Sequence, residues 1–134
     1  MSTKSPVFEI PVASTESVTD ATLDVRGRAP ILRFDYYHDG VAHRSGIRFN
    51  KTLATRTRTE RCCTAWHIEV AYDTLVEVTE SSWIAELRND MADRWRDEQE
   101  MHHYMIYLDS AGCFEVIAES YEALPEEEGS WAKN

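Results

Sequence analysis

Hydrophobic and polar positions alternate most cleanly toward the end of the chain. Tyr104, Ile106 and Leu108, then Phe114, Val116 and Ala118, recur at every second position, with His103, Met105, Tyr107, Cys113, Glu115, Ile117 and Glu119 between them. Side chains of a strand point alternately to its two faces, so the spacing predicts strands at 104–109 and 113–121. One face of that hairpin is apolar and packs on a core; the other mixes histidine, tyrosine, glutamate and cysteine with Met105 and Ile117. Ser110-Ala111-Gly112 is the expected loop, because the last residue of a three-residue hairpin loop adopts the left-handed region most cheaply as glycine. That loop sets Asp109 opposite Cys113, Tyr107 opposite Glu115, Met105 opposite Ile117 and His103 opposite Glu119.

A second alternating stretch, 31–49, is split by Asp39-Gly40, a strong signal for a two-residue hairpin turn. It pairs His38 with Val41, Tyr36 with His43, Phe34 with Ser45, and Leu32 with Ile47, and leaves Asp35 facing Arg44. Over 52–60, arginine and threonine alternate, which suits a peripheral strand with Arg56 and Arg58 reaching water or acidic groups. Trp66, Ile68, Val70 and Tyr72 at period two predict a strand over 65–72, and Val76 and Val78 predict another over 75–79. Ser81 or Ser82 is the N-cap of a helix expected over 83–99, whose apolar stripe is Ile84, Leu87, Met91 and Trp95. Val7 to Ile10, bracketed by Pro6 and Pro11, reads as a short edge strand.

These elements predict one domain over 1–134, with a weakly patterned arm or edge strand at 1–30 and an acidic tail at 125–134, from which Trp131 docks back. The fold class is α+β: a mostly antiparallel sheet built from hairpins, with one amphipathic helix packed on it and covering its apolar face; a β-sandwich is the alternative. Leu32, Phe34, Ile106, Leu108, Phe114, Val116, Leu87 and Trp95 are the expected core, and Trp66 and Trp83 are assigned to it as well.

Charge adds an asymmetry to this picture. The net charge is −10, yet residues 1–67 sum to about +3 and residues 68–134 to about −13. An acidic bulk field disfavours nucleic acid and anionic lipid, so neither is an expected partner. A basic protein is. Arg44, Arg48, Lys51, Arg56, Arg58 and Arg61 form a basic strip whose expected role is pairing with the acidic helix and tail, or with an anionic patch on a partner. There is no apolar run of transmembrane length and no signal-peptide pattern, and three cysteines make no disulfide framework, so a cytoplasmic protein is expected.

Candidate chemistry concentrates on the mixed face of the last hairpin. His103 facing Glu119, and Tyr107 facing Glu115, supply an imidazole, carboxylates and a phenol, the materials of general acid–base catalysis; the same pairs also serve as ordinary cross-strand stabilisers. A metal site would draw on Cys62, Cys63, His67 and His102, but the paired spacings of structural zinc sites are absent, and no metal or cofactor is expected. Phosphate-loop, nucleophile-elbow and His-Glu-x-x-His motifs are also absent.

The run from Tyr104 to Ser120, YMIYLDSAGCFEVIAES, together with AYDTLVEV from Ala71 and Ser82-Trp83, resembles a group of small uncharacterised bacterial proteins. The resemblance extends from Ile31 onward and implies no activity and no site residue. The expected function is therefore a non-catalytic binding module for a basic protein, an immunity-type inhibitor being one form. A small enzyme using a His/Glu pair of the last hairpin, and a metal-binding module, are the alternatives; the oligomeric state, a homodimer included, is left open.

Overall fold

Two antiparallel sheets carry the chain. The computed structural model describes residues 2–17, 20–27, 29–96 and 98–131; the parts of the expected arm, helix and tail at 1, 18–19, 28, 97 and 132–134 lie outside the described residues. In chain order the strands are β1 (Thr3–Glu9), β2 (Thr22–Asp24), β3 (Ile31–His38), β4 (Val41–Asn50), β5 (Ala54–Arg58), β6 (Thr74–Thr79), β7 (His102–Leu108), β8 (Gly112–Ala118), β9 (Ser120–Ala123) and β10 (Glu127–Glu128). The helices are α1 (Ala65–Ile68), α2 (Ser82–Asp90) and α3 (Asp93–Arg96). One sheet runs β1-β6-β7-β8-β5; the other runs β10-β4-β3-β2, with β9 also paired to β4. The fold is thus α+β and mostly antiparallel, as its hairpin patterning implies.

The two sheets share one core. Leu32, Phe34, Tyr36, Ile47 and Phe49 from β3 and β4 meet Leu75, Tyr104, Ile106, Leu108, Phe114, Val116 and Ala118 from β6, β7 and β8. Each large apolar side chain buried there contributes roughly 1.5–3 kcal/mol. The apolar face of the last hairpin is therefore covered by the second sheet, whereas the helix was expected to cover it. The sheets join at a corner where the chain passes from β8 into β9 and from β4 into β5, tied by Glu119 N donating to Asn50 O and Leu53 N to Ile117 O.

The first hairpin has the expected register throughout, and Asp39 and Gly40 take φ of 52° and 77°. The last hairpin does not. Leu108 pairs with Gly112, Tyr107 with Cys113, Met105 with Glu115 and His103 with Ile117. Asp109, Ser110 and Ala111 form the loop: Ala111 N donates to Leu108 O and Ser110, with φ of 65°, is its left-handed residue. Because the partners slide by two residues, side-chain parity is kept; the faces are as expected and the cross-strand neighbours are not.

Three further expectations are corrected. Residues 65–72 are not a strand: Thr64 N donates to His67 Nδ1, capping α1, and the chain then turns through Val70 with φ of 65° to bury Ala71. The helix over 83–99 is interrupted at Met91, whose ψ of 145° is extended and whose N–H closes α2 on Leu87 O and Arg88 O. Trp95 therefore leaves the stripe and is 49% exposed, and Leu87 is only half-buried. Trp66 is 38% exposed, and Trp83 is half-buried on the outer side of the sheet. The other six expected core residues are buried.

The N-terminal edge strand is longer than its apolar run, because β1 extends to Thr3 and pairs with β6 across a bulge between Pro6 and Phe8. The tail docks on the outer side of β3 and β4. The Trp131 ring lies between the Arg33 and Arg44 guanidinium groups at 4.7 and 5.1 Å, and its Nε1 donates to Phe34 O and Ser45 O. Its backbone N–H donates to the fully buried Asp35.

Candidate functional site

β7 and β8 present His103, Met105, Tyr107, Cys113, Glu115 and Ile117 on the face turned away from the core shared by the two sheets. The segment holding α1 packs over one end of that face, with Ala71, Ile68 and Cys63 against Tyr107 and Cys113. The first turn of α2 packs over the other end. Between them runs a continuous polar chain. Glu115, 1% exposed, accepts from Arg56 Nε at 2.8 Å and Nη2 at 3.1 Å. Its Oε1 lies 2.8 Å from His103 Nε2, and His103 Nδ1 lies 2.7 Å from Ser81 Oγ. Ser81 Oγ is also the N-cap acceptor for Ile84 N at 3.2 Å.

The chain is continuous in one arrangement of donors: with the ring proton on Nε2, donated to Glu115, Nδ1 accepts from the Ser81 hydroxyl, whose oxygen accepts from Ile84 N. Burial alone would raise the Glu115 pKa; the hydrogen bonds from His103 and Arg56, with the Arg56 charge, outweigh it and hold the carboxyl well below the usual carboxylate range. Arg56 also stacks on Trp83, 4.0 Å from the ring centroid, and Trp83 meets the His103 ring edge-on at 5.2 Å. A cleft of about 330 Å³ opens beside the chain, lined by Ser2, Arg56, Trp66, Val78, Ser81, Ser82 and His103.

Of the residues the sequence singled out, the fold unites His103 and Glu115. It separates the other two. Glu119 turns to Lys51 at 3.4 Å. Tyr107, opposite Cys113, lies toward Cys63 and Glu60, and burial raises its pKa. The slipped register is the reason: Glu115, diagonal to His103, takes the place expected of Glu119. Ser81 and Arg56 complete the chain. The first was legible only as a cap, the second only as a peripheral strand residue.

Cys62, Cys63, His67 and His102 are not brought together. Cys62 is exposed, the Cys63 thiol points to Thr59 O, His67 caps α1, and His102 sits elsewhere on β7. Among the described residues, no three His, Cys, Asp or Glu side chains are arranged to hold a metal ion. The basic strip is spent largely on carboxylates of β8, β9, the corner between them and the tail: Arg44 pairs with Glu127, Arg48 with Glu122, Lys51 with Glu119 and Arg56 with Glu115. No helix of the described residues is long and apolar enough to cross a membrane.

His102 has its own carboxylate pair, Glu77 on Nδ1 and Glu100 on Nε2, each at 2.8 Å. Burial opposes its protonation, but the two hydrogen bonds and the two charges outweigh burial and raise its pKa. The stability it contributes is therefore present below the unfolded value of about 6.5 and fades as pH rises through the higher folded value. For a half-exposed group the amount is about 1 kcal/mol or less. Urea unfolding of the wild type and His102→Gln should show their difference shrinking from pH 6 to pH 8; a difference that stays constant would remove the ion pair as its source.

Comparison with known proteins adds no further assignment: no family model, curated protein or solved structure matches the chain.

Proposed function

We propose that the protein binds a basic protein partner through the acidic stretch that follows the first turns of α2, with Trp95 as its aromatic anchor. The exposed Trp95 carries the reading. It is the large apolar side chain that the helix break turns outward, and buried tryptophans at interface centres dominate binding energies. Glu86, Asp90 and Glu98 are exposed in the same stretch of chain, and Asp93 pairs with Arg96 of its own helix. The arginines of this stretch are engaged locally: Arg88 donates to Arg96 O, Arg96 to Met91 O, and Arg94 lies 5.1 Å from the Trp95 ring. Residues 68–134 keep a surplus of negative charge even after Glu115, Glu119, Glu122 and Glu127 pair with cations of the basic strip, and that surplus steers a cationic surface inward. An immunity-type inhibitor of a basic enzyme fits this chemistry.

The test is affinity capture at low and high salt with wild type, Trp95→Ala and the double variant Glu86→Gln, Asp90→Asn. A partner with a basic isoelectric point should be retained at low salt and released at high salt. Trp95→Ala should weaken its binding by roughly 30-fold, about 2 kcal/mol, and the double variant should flatten the salt dependence. Partners that bind independently of both salt and Trp95 would overturn the proposal.

A further inference from the structure

Ser81, His103 and Glu115 have the connectivity of a nucleophile, a general base and the group that orients the base, and the first two border a cleft. A serine hydroxyl becomes a useful nucleophile when an adjacent base takes its proton in the transition state. Here the Oγ to Nδ1 distance is 2.7 Å and the Nε2 to Glu115 distance is 2.8 Å, both within reach for proton transfer and orientation. The two ring nitrogens are conjugated, so Nδ1 serves as the base as well as Nε2 does, provided the carboxylate holds the proton on the other. Glu115 meets that condition, and Arg56 keeps it ionised. Ser81 and His103 both line the cleft, which places the hydroxyl where a small molecule reaches it.

The start of α2 offers donors to an oxyanion: Ser82, on the cleft wall, and Trp83 are its first two residues, and first-turn amides have no acceptor inside a helix. They sit beside the capping serine, at the positive end of the helix dipole. Arg56, also on the cleft wall, adds a full positive charge. The wall is completed by Trp66 and Val78, so the space suits a short acyl group.

We propose that Ser81, His103 and Glu115 form a hydrolytic site for small carboxylic esters, distinct from the partner surface at the other end of α2. The Ser81 Oγ lone pair bonds to the ester carbonyl carbon while the hydroxyl proton passes to His103 Nδ1, and the carbonyl π pair moves to its oxygen. Collapse of that oxyanion breaks the bond to the alcohol oxygen, which leaves with the Nδ1 proton. Water then attacks the acyl-serine and gives a proton to Nδ1. The second collapse releases the carboxylic acid and returns the proton to Ser81. The balance is ester plus water to acid plus alcohol, with no other reactant.

The experiment uses the full chain with 4-nitrophenyl acetate as substrate and a fluorophosphonate as covalent probe, located by peptide mass mapping. Turnover and phosphonylation at Ser81 are expected in the wild type. Ser81→Asn keeps a good helix cap but has no nucleophile, so it should lose both while its thermal unfolding stays cooperative. His103→Gln should slow turnover and labelling by about 100-fold or more. A folded wild-type protein that is neither labelled at Ser81 nor faster than Ser81→Asn would overturn the site and leave the polar chain a purely structural one. Label on any residue other than Ser81 would overturn it too.

Discussion

Glu115→Ala is expected to destabilise the protein by about 1–3 kcal/mol at neutral pH, because it removes the buried carboxylate that accepts from His103 and from the exposed Arg56. Glu115 is the junction of the chain that ties β5 to β8, β8 to β7, and β7 to the cap of α2. Without it, His103, 3% exposed, keeps a ring N–H with no acceptor, and Arg56 loses the anion that sets it on Trp83. Glu115→Gln keeps the shape and one acceptor, so it should cost less, and its pH dependence is the sharper observable. The folded pKa of Glu115 is depressed, so its charge contributes fully above the unfolded value of 4.5 and the contribution is lost as pH falls through the lower folded value. Urea unfolding at pH 7 and pH 3 should show wild type and Glu115→Gln converging in acid. A loss below about 1 kcal/mol for Glu115→Ala, or parallel acid limbs for wild type and Glu115→Gln, would contradict the assignment.

What the sequence makes legible here is what local chemistry decides. Asp39-Gly40 tolerates the two positive φ values its turn needs, and the register of β3 with β4 follows from that pair alone. In the last hairpin, alternation identifies both faces, since parity survives a slide of two residues. It cannot identify partners. Ser110 takes the left-handed position without any compositional signal, while Gly112 is glycine for a reason that lies in another strand. Trp66 to Tyr72 shows the opposite failure: its period of two is real, but a cap at Thr64 and the fit of Ala71 beneath Tyr107 impose a helical turn instead. The site was half visible. His103 and Glu115 stand out as a titratable pair on a half-covered face, whereas Ser81 is 22 residues from His103 and announces itself only as a cap. Arg56 reads as a solvated strand residue because nothing local reveals that its neighbour across the ladder is a buried carboxylate.

Gly112→Ala should be at least as damaging as any change in the polar chain, although it alters no charge and removes no contact. A Cβ at Gly112 would lie 2.1 Å from Arg58 O and 3.1 Å from both Arg58 C and Glu60 N. All three are backbone atoms, which cannot swing aside as a side-chain tip can. The φ of 104° at Gly112 adds conformational strain for any residue with a Cβ. Relief requires the end of β5 to part from β8, where Arg58 pairs with Cys113, and that movement draws Arg56 away from Glu115. A cost of about 3 kcal/mol or more is expected, since steric overlap, strain and loss of the ion pair act together. Gly40 provides the control. Its φ of 77° is also left-handed, but a Cβ there meets nothing within 4 Å. Gly40→Ala should therefore cost only about 1 kcal/mol, the conformational part alone. Thermal and urea unfolding of the two variants separates the contributions: the gap between them measures the backbone clash at the end of β5. Near-equal stability of Gly112→Ala and Gly40→Ala would mean that β5 yields freely, and that the edge strand does not hold Arg56 in place.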